Sequence, residues 1–367
     1  MLLEVAAAAL IITAVWLIAL RFSGRHYTRA EFSRILNYVA EDGASYANLD
    51  GCILQYGPNG AVCTSDVGKN RWSITYEMDQ PIISTCKNIV AIADYGGRTV
   101  YVLNTRQQLG TITTNLPIHR LRVSAKGEVA VVLDDRSNTW IRLYRSDGTE
   151  IAYFVRSMEE NGYPMDVAIS PDGTTVAVSS MVMSHTTVHS LVSFYSFGSA
   201  GKDAQDHLIG SYEYEDEIFP YLEFVSDDNC AGVSDARLVI FESARTQPRN
   251  GKNNMLTESV LGVYRGNSCL GLLFTDRTGR NIYRLDLYDA GGQKLGSVGF
   301  TMAYTDIQIL GNYVYINNEQ TLQIYSLDGA EIFNGAFDTA VKTLIPSSRP
   351  GRLSAVTENE IDRITLK

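Results

Sequence analysis

The stretch YSLDGAEI at residues 325–332 has a near copy, YRSDGTEI, at 144–151 and a looser one, YDAGGQKL, at 288–295. A tyrosine, a glycine turn and a hydrophobic exit that recur in one chain constrain its fold more than any other feature. Asp147-Gly148 separates two alternating runs, Ile141, Leu143 and Tyr144 before it and Ile151 and Tyr153 after it. Asp-Gly in that setting marks a tight β-hairpin, because the turn needs positive φ. A second element lies upstream of each hairpin. LRVSAKGEVAVVLDD (121–135) and VAISPDGTTVAVSSM (167–181) match nearly position for position, each reading as strand, glycine turn, strand. LEFVSDDNCAGVSD, IQILGNYVYINNE and LIPSSRPGRLSAVTENE are degenerate copies. Joined to its hairpin, each unit has four short antiparallel strands.

The units begin near Ala44, Pro81, His119, Met165, Tyr221, Ser259, Asp306 and Val341. A period near forty with four strands per unit predicts a β-propeller, since stacking the sheets radially buries faces that one sheet alone would expose. The expected fold class is therefore all-β, a β-propeller of eight blades. The last unit, Val341 to Lys367, has room for only three strands. A fourth strand supplied from near Ala44 would close the ring and merge the first and last units, with seven blades as the alternative. A β-sandwich would not repeat a four-strand unit this often, and two β domains would need a linker. The polar stretch SARTQPRNGKNNMLTES (243–259) reads as an insertion within the fifth blade.

The first residues stand apart. Val5 to Leu20 carries no charge; as a helix it would cover about 24 Å, and the flanking apolar residues bring it near spanning length. Leu20 and Arg21 stand where a cleavage site would want small residues, so residues 1–24 are expected to be an uncleaved transmembrane anchor. In TRAEFSRILNYVAEDG, Thr28 and Glu31 have capping-box spacing, and Phe32, Ile35, Leu36 and Val39 fall on one helical face. Residues 25–42 are therefore expected to be a juxtamembrane amphipathic helix, and 43–367 the propeller. Arg21, Arg25, Arg29 and Arg34 all follow the anchor, which literally counted puts the C-terminal side in the cytoplasm. Large domains translocate despite such bias, and the expected location is a single-pass cell-membrane protein with an extracytoplasmic propeller, the cytoplasmic side being the alternative.

The formal charge of −10, without a Lys/Arg run, argues against nucleic acid as a partner. No phosphate loop, dinucleotide fingerprint, nucleophile elbow or zincin motif occurs, so no nucleotide or nicotinamide cofactor, and no catalytic, cofactor-binding or metal-binding residue, is assigned. His185 and His189 are four apart in MSHTTVHS, on a segment joining two strands, where that spacing does not stack ligands. Glu213, Glu215, Asp216 and Glu217 crowd YEYEDEIF and read as a polar connection between blades; DDNCAG at 227–232 lacks the closing glutamate of a calcium loop. Cys52 and Cys63 flank the GPNG turn and can face each other, whereas Cys86, Cys230 and Cys269 lie in apolar strands and read as buried thiols.

With anchor, helix and divergent propeller read from the residues, NRWSITYE, SPDGTTVAVSS, CLGLLFTDRTGRNIYRLDLYDAGGQKL and LQIYSLDGAEI also carry a resemblance. The chain resembles the Clostridia-type family of N-terminally membrane-anchored β-propellers filed as a domain of unknown function, number five-seven-one-one. The resemblance implies a single-pass protein without an assigned activity and carries over no functional residues. The expected function is a membrane-tethered, non-enzymatic binding or scaffolding platform at the bacterial cell envelope, with a protein or envelope polymer as partner. The alternative is a propeller hydrolase or lyase with its site at the central channel mouth.

Overall fold

The hairpin repeat folds into four-stranded antiparallel sheets, eight of them among the described residues. The computed structural model describes residues 26–37, 43–135, 138–157, 162–183, 187–347 and 351–367. The expected anchor, residues 1–24, lies outside them; among the described residues no helix is long and apolar enough to cross a membrane.

Strand β1 is Ala30–Asn37. Blade 1 is β2 (Ser45–Leu49), β3 (Cys52–Gly57), β4 (Gly60–Thr64) and β5 (Asn70–Thr75). Blade 2 is β6 (Pro81–Cys86), β7 (Ile89–Asp94), β8 (Thr99–Asn104) and β9 (Gln108–Thr113). Blade 3 is β10 (Ile118–Val123), β11 (Val129–Asp135), β12 (Asn138–Tyr144) and β13 (Glu150–Ser157). Blade 4 is β14 (Tyr163–Ile169), β15 (Thr175–Met183), β16 (Val188–Ser196) and β17 (Leu208–Glu215). Blade 5 is β18 (Tyr221–Phe224), β19 (Cys230–Val233), β20 (Arg237–Glu242) and β21 (Arg249–Met255). Blade 6 is β22 (Gly262–Arg265), β23 (Cys269–Thr275), β24 (Tyr283–Asp289) and β25 (Lys294–Phe300). Blade 7 is β26 (Asp306–Leu310), β27 (Tyr313–Asn317), β28 (Thr321–Ser326) and β29 (Glu331–Ala336). Blade 8 is β30 (Thr343–Pro346), β31 (Arg352–Val356), β32 (Glu360–Leu366) and, last, β1.

Every first strand begins within three residues of a unit start read from the repeat. First strands of neighbouring blades touch, as β6 does β10, β14 does β18 and β30 does β2, which places them at the axis. The first–second and third–fourth turns of each blade open on one end of the ring, the turn face. The second–third turns and the interblade links open on the other, the connection face.

One buried apolar cluster fills each interface between blades. Between blades 2 and 3, for example, Val100, Val102 and Ile112 meet Leu121, Val129 and Val131. Fully burying such a side chain contributes about 1.5–3 kcal/mol, which no blade can collect alone. The cluster between blades 8 and 1 is the smallest, reduced to Ile53, Ile345, Val356 and Ile361, with Ile35 and Leu36 of β1 packed on it.

The recurring tyrosine and glycine serve these interfaces. Tyr144, Tyr288 and Tyr325 are last or next to last in the third strands of their blades, and each is buried in the cluster shared with the preceding blade. The Asp-Gly turn then leans on that blade's outer strand. A Cβ at Gly329 (φ +93°) would lie 2.3 Å from the Ser297 carbonyl oxygen of β25, and one at Gly296 would lie 2.6 Å from the Leu327 carbonyl oxygen. Gly148 and Gly110 make the same reciprocal pair between blades 3 and 2.

Two sequence expectations are corrected. The segment read as an amphipathic helix contains the strand β1, paired antiparallel with β32 from Ala30↔Leu366 to Asn37↔Glu360. A β-bulge between Arg34 and Leu36 turns consecutive Ile35 and Leu36 toward the same interface. That bulge breaks the two-residue alternation and leaves a helix-like spacing in the sequence. The open edge of β32 offers backbone pairing along the whole segment, whereas a short isolated helix is marginal in water. The ring therefore closes through Ala30–Asn37, not through a segment near Ala44, and eight blades result. Thr28 and Arg29 donate backbone N–H groups to the Lys367 carbonyl at 2.8 and 3.0 Å, and Tyr27 donates to the Ile332 carbonyl of blade 7 at 2.9 Å. Residues 27–29 and Lys367 thus occupy the place of blade 8's third–fourth turn.

The second correction concerns 243–259. It is no insertion: Arg249–Met255 is the outer strand of blade 5, mostly exposed and therefore polar on both faces. The real insertion is in blade 4, where two 3-10 turns, Ser199–Gly201 and Gln205–His207, lengthen the third–fourth turn.

Candidate functional site at the central channel

The first strands bring charged residues to the axis. The Asp166 side chain of β14 is 1% exposed. Its Oδ1 accepts from Arg120 Nη1 at 2.6 Å and Arg122 Nη2 at 3.0 Å, both from β10. Its Oδ2 accepts the Leu222 backbone N–H of β18 at 2.9 Å. One carboxylate therefore ties blades 3, 4 and 5. Glu223 of β18, with a side chain 13% exposed, accepts from Arg265 Nη1 of β22 at 2.7 Å. The Arg265 charge also acts on the Cys86 thiol of blade 2, on the opposite side of the ring. Weaker links continue the circle: Gln308 Nε2 donates to the Leu344 carbonyl at 2.7 Å and Asn48 Nδ2 to the Pro346 carbonyl at 3.3 Å.

Burial raises the Glu223 carboxyl, and Arg265 and then Arg122 oppose it. Burial likewise pushes up the Cys86 thiol and the Tyr221 phenol. Charges this deep persist because they are paired; removing one partner of such a pair typically costs about 3–5 kcal/mol.

At the connection face the network ends in an aromatic row. Tyr95 of blade 2, His119 of blade 3 and Tyr163 of blade 4 form a row across three blades, the first pair tilted and the second T-shaped, with ring centroids 5.2 and 6.2 Å apart. Tyr95 is 46% and Tyr163 37% exposed. The Tyr163 hydroxyl lies 3.1 Å from His119 Nε2. Burial and the Arg120 charge hold the His119 imidazole below its ordinary value, against Asp134. Under the row is a cavity of about 10 Å³ lined by His119, Arg120, Asp134, Thr139 and Asp166. That is room for about one water. The row itself offers flat apolar rings with polar tips at the rim, a surface suited to stacking and hydrogen bonding.

The sequence model described as Family of unknown function (DUF5711) matches residues 23–366. The chain belongs to this family. No curated protein matches it. Among solved structures, the DUF5711 fold is similar to BamB from Moraxella catarrhalis, at 12% identity over 92% of this chain and 100% of that one, with a TM-score of 0.50. It is also similar to the computationally designed Ika8 protein, at 14% identity over 94% and 100% of the two chains, with a TM-score of 0.53. Identities this low speak to the fold alone.

Of the residues singled out in sequence, the histidines and carboxylates are not brought together into one site, whereas Cys52 and Cys63 share one face of the blade 1 sheet. His189 lies on β16, its Nε2 3.2 Å from Glu213 Oε1 across the strand pair; His185 lies outside the described residues. Glu217 is buried, pairs with Arg237 and accepts from the Ser234 hydroxyl at 3.0 Å, tying the blade 4–blade 5 link to blade 5. Asp228 belongs to the first turn of blade 5 and pairs with Arg245 at 3.5 Å. Among the described residues no group of His, Cys, Asp and Glu has metal-ligand geometry. All five cysteines are free thiols, four of them buried and Cys52 partly exposed.

Sequence reasoning missed Arg120, Arg122, Asp166, Glu223 and Arg265. Each is harmless by itself, and they meet only because blades 3 to 6 share an axis. A signal existed: HRLRV, PMDVAI, YLEFV and GVYRG each put a charge inside the first, innermost strand of the repeat.

Proposed function

We propose that this member of DUF5711 is a membrane-tethered binding or scaffolding platform of the bacterial cell envelope, whose recognition surface is the connection face over blades 2 to 4. The observation that carries this reading is the row Tyr95–His119–Tyr163, three partly exposed rings in contact on three successive blades. Interaction surfaces are enriched in such amphipathic aromatics. Support for binding rather than chemistry comes from the axis, where the charged groups are engaged with one another and the mouth cavity is too small for a substrate.

The chain enters the ring at Tyr27, beside Lys367 on the turn face. With residues 1–24 as the tether, the turn face would look toward the lipid and the aromatic row away from it, toward a protein or an envelope polymer. Photo-crosslinking amino acids placed at Tyr95, Tyr163 and, on the turn face, Asp328 test this in cells. The expected result is a discrete adduct from Tyr95 and Tyr163 and none from Asp328. Adducts confined to Asp328 would refute the assignment of the face.

A further inference from the structure

A second cavity, of about 300 Å³, opens on the turn face where blades 8, 1 and 2 meet; its walls include Cys52, Ser65, Asp66, Arg71, Arg106 and Ser347. It lies beside the interface with the smallest apolar cluster. Ligand sites begin at about this volume.

Three features of its wall belong together. Cys52 opens β3, and Cys63, on β4, pairs with Leu54; Cys52, Leu54 and Cys63 therefore share one face of the sheet. The two thiols are neighbours on that face, Cys63 lying buried behind the partly exposed Cys52. Arg71 and Arg106 both face the cavity with no ion pair among the described residues. Asp50 and Asp66 also line it, so the cationic character is local to the two guanidinium groups.

We propose that Cys52 and Cys63 form a dithiol site that reduces an anionic low-molecular-weight disulfide, with Arg71 and Arg106 holding the anion, Cys52 attacking and Cys63 resolving. The Cys52 thiolate attacks one sulfur of R–S–S–R, forming Cys52–S–S–R and expelling RS⁻. Cys63 then gives its proton to solvent and attacks Cys52 Sγ, closing the Cys52–Cys63 disulfide and expelling a second RS⁻. The protein loses two electrons and the small disulfide gains them as two thiols. The neighbouring Cys63 thiol, and secondarily the charge of Arg71, bring the Cys52 thiol below its ordinary value, while burial, Asp66 and Asp50 oppose them. Cys52 is the partly exposed sulfur and Cys63 the buried one, held high by Cys52 beside it and by burial, so Cys52 is the nucleophile.

The test uses the full chain, reduced and then freed of reductant, with the dicarboxylate 5,5′-dithiobis(2-nitrobenzoate) and the dication cystamine as probes. The native protein is expected to release two thionitrobenzoates per chain in a fast phase and keep no adduct by mass. Cys52→Ser should abolish the fast phase. Cys63→Ser, with Cys63→Ala as a second variant should the hydroxyl be poorly accommodated, should release one thionitrobenzoate and retain one adduct. Arg71→Gln with Arg106→Gln should slow the dianion by about tenfold and leave cystamine no slower. A fast phase that survives Cys52→Ser, a native chain that retains its adduct, or equal rates for the dianion with and without the arginines would each overturn the proposal.

Discussion

At the residue scale, polar groups in the turns act between blades as much as within them. Asp172 of the SPDG turn accepts from the Ser170 hydroxyl at 2.6 Å and from the Thr174 N–H and hydroxyl at 3.1 and 2.9 Å. Arg245 of blade 5 completes the set at 2.6 Å. Burial alone would raise this carboxyl; the hydrogen bonds from Ser170, Thr174 and Arg245 outweigh it and bring it from 3.8 to about 2. A carboxyl lowered on folding contributes stability above its unfolded value and loses it as pH falls through the folded one. Urea unfolding from pH 3.8 down to about 2 should therefore show a stability loss that Asp172→Asn reduces. An unchanged acid slope in the variant would remove Asp172 from the account. Glu223 has the opposite sign, its raised carboxyl favouring the folded state at low pH and losing that contribution as pH rises. The Asp172 turn was legible in sequence, but its partner Arg245, 73 residues away, was not.

At the element scale, hairpins were readable because their chemistry is local. Turn glycines, alternation and the closing tyrosine all sit within one unit. What those glycines are for was not readable, since the constraint comes from the neighbouring blade. Gly329 combines positive φ with close approach to Ser297, whereas Gly279 has φ +75° and nothing near a built Cβ. Gly279→Ala should cost about 1 kcal/mol from backbone strain alone, and Gly329→Ala about 1–3 kcal/mol more, because the turn must also move off β25. Equal shifts in the urea midpoints would show that the docking contact contributes nothing. The bulged strand β1 was misread for the complementary reason: its local pattern fits a helix, and only the waiting edge of β32 makes it a strand.

At the scale of the whole molecule, stability depends on closing a circle at its thinnest interface. A chain beginning at residue 26 keeps β1, Tyr27 and their bonds to Lys367 and Ile332. A chain beginning at residue 43 loses them, exposes the β32 edge and strips Ile35 and Leu36 from the blade 8–blade 1 cluster. The first should unfold at the temperature of the full chain; the second should unfold at a clearly lower one and self-associate on size exclusion, as open strand edges do. A monomeric second chain with an unchanged midpoint would mean that the ring holds without its closing strand. The sequence by itself determined the repeat, the four-strand unit and the positions of the blades, because turn preference and two-residue periodicity act over a few residues. Tertiary structure alone decided which segment seals the ring and which charges meet at the axis, because those contacts join residues far apart in the chain that become neighbours only once the circle is complete.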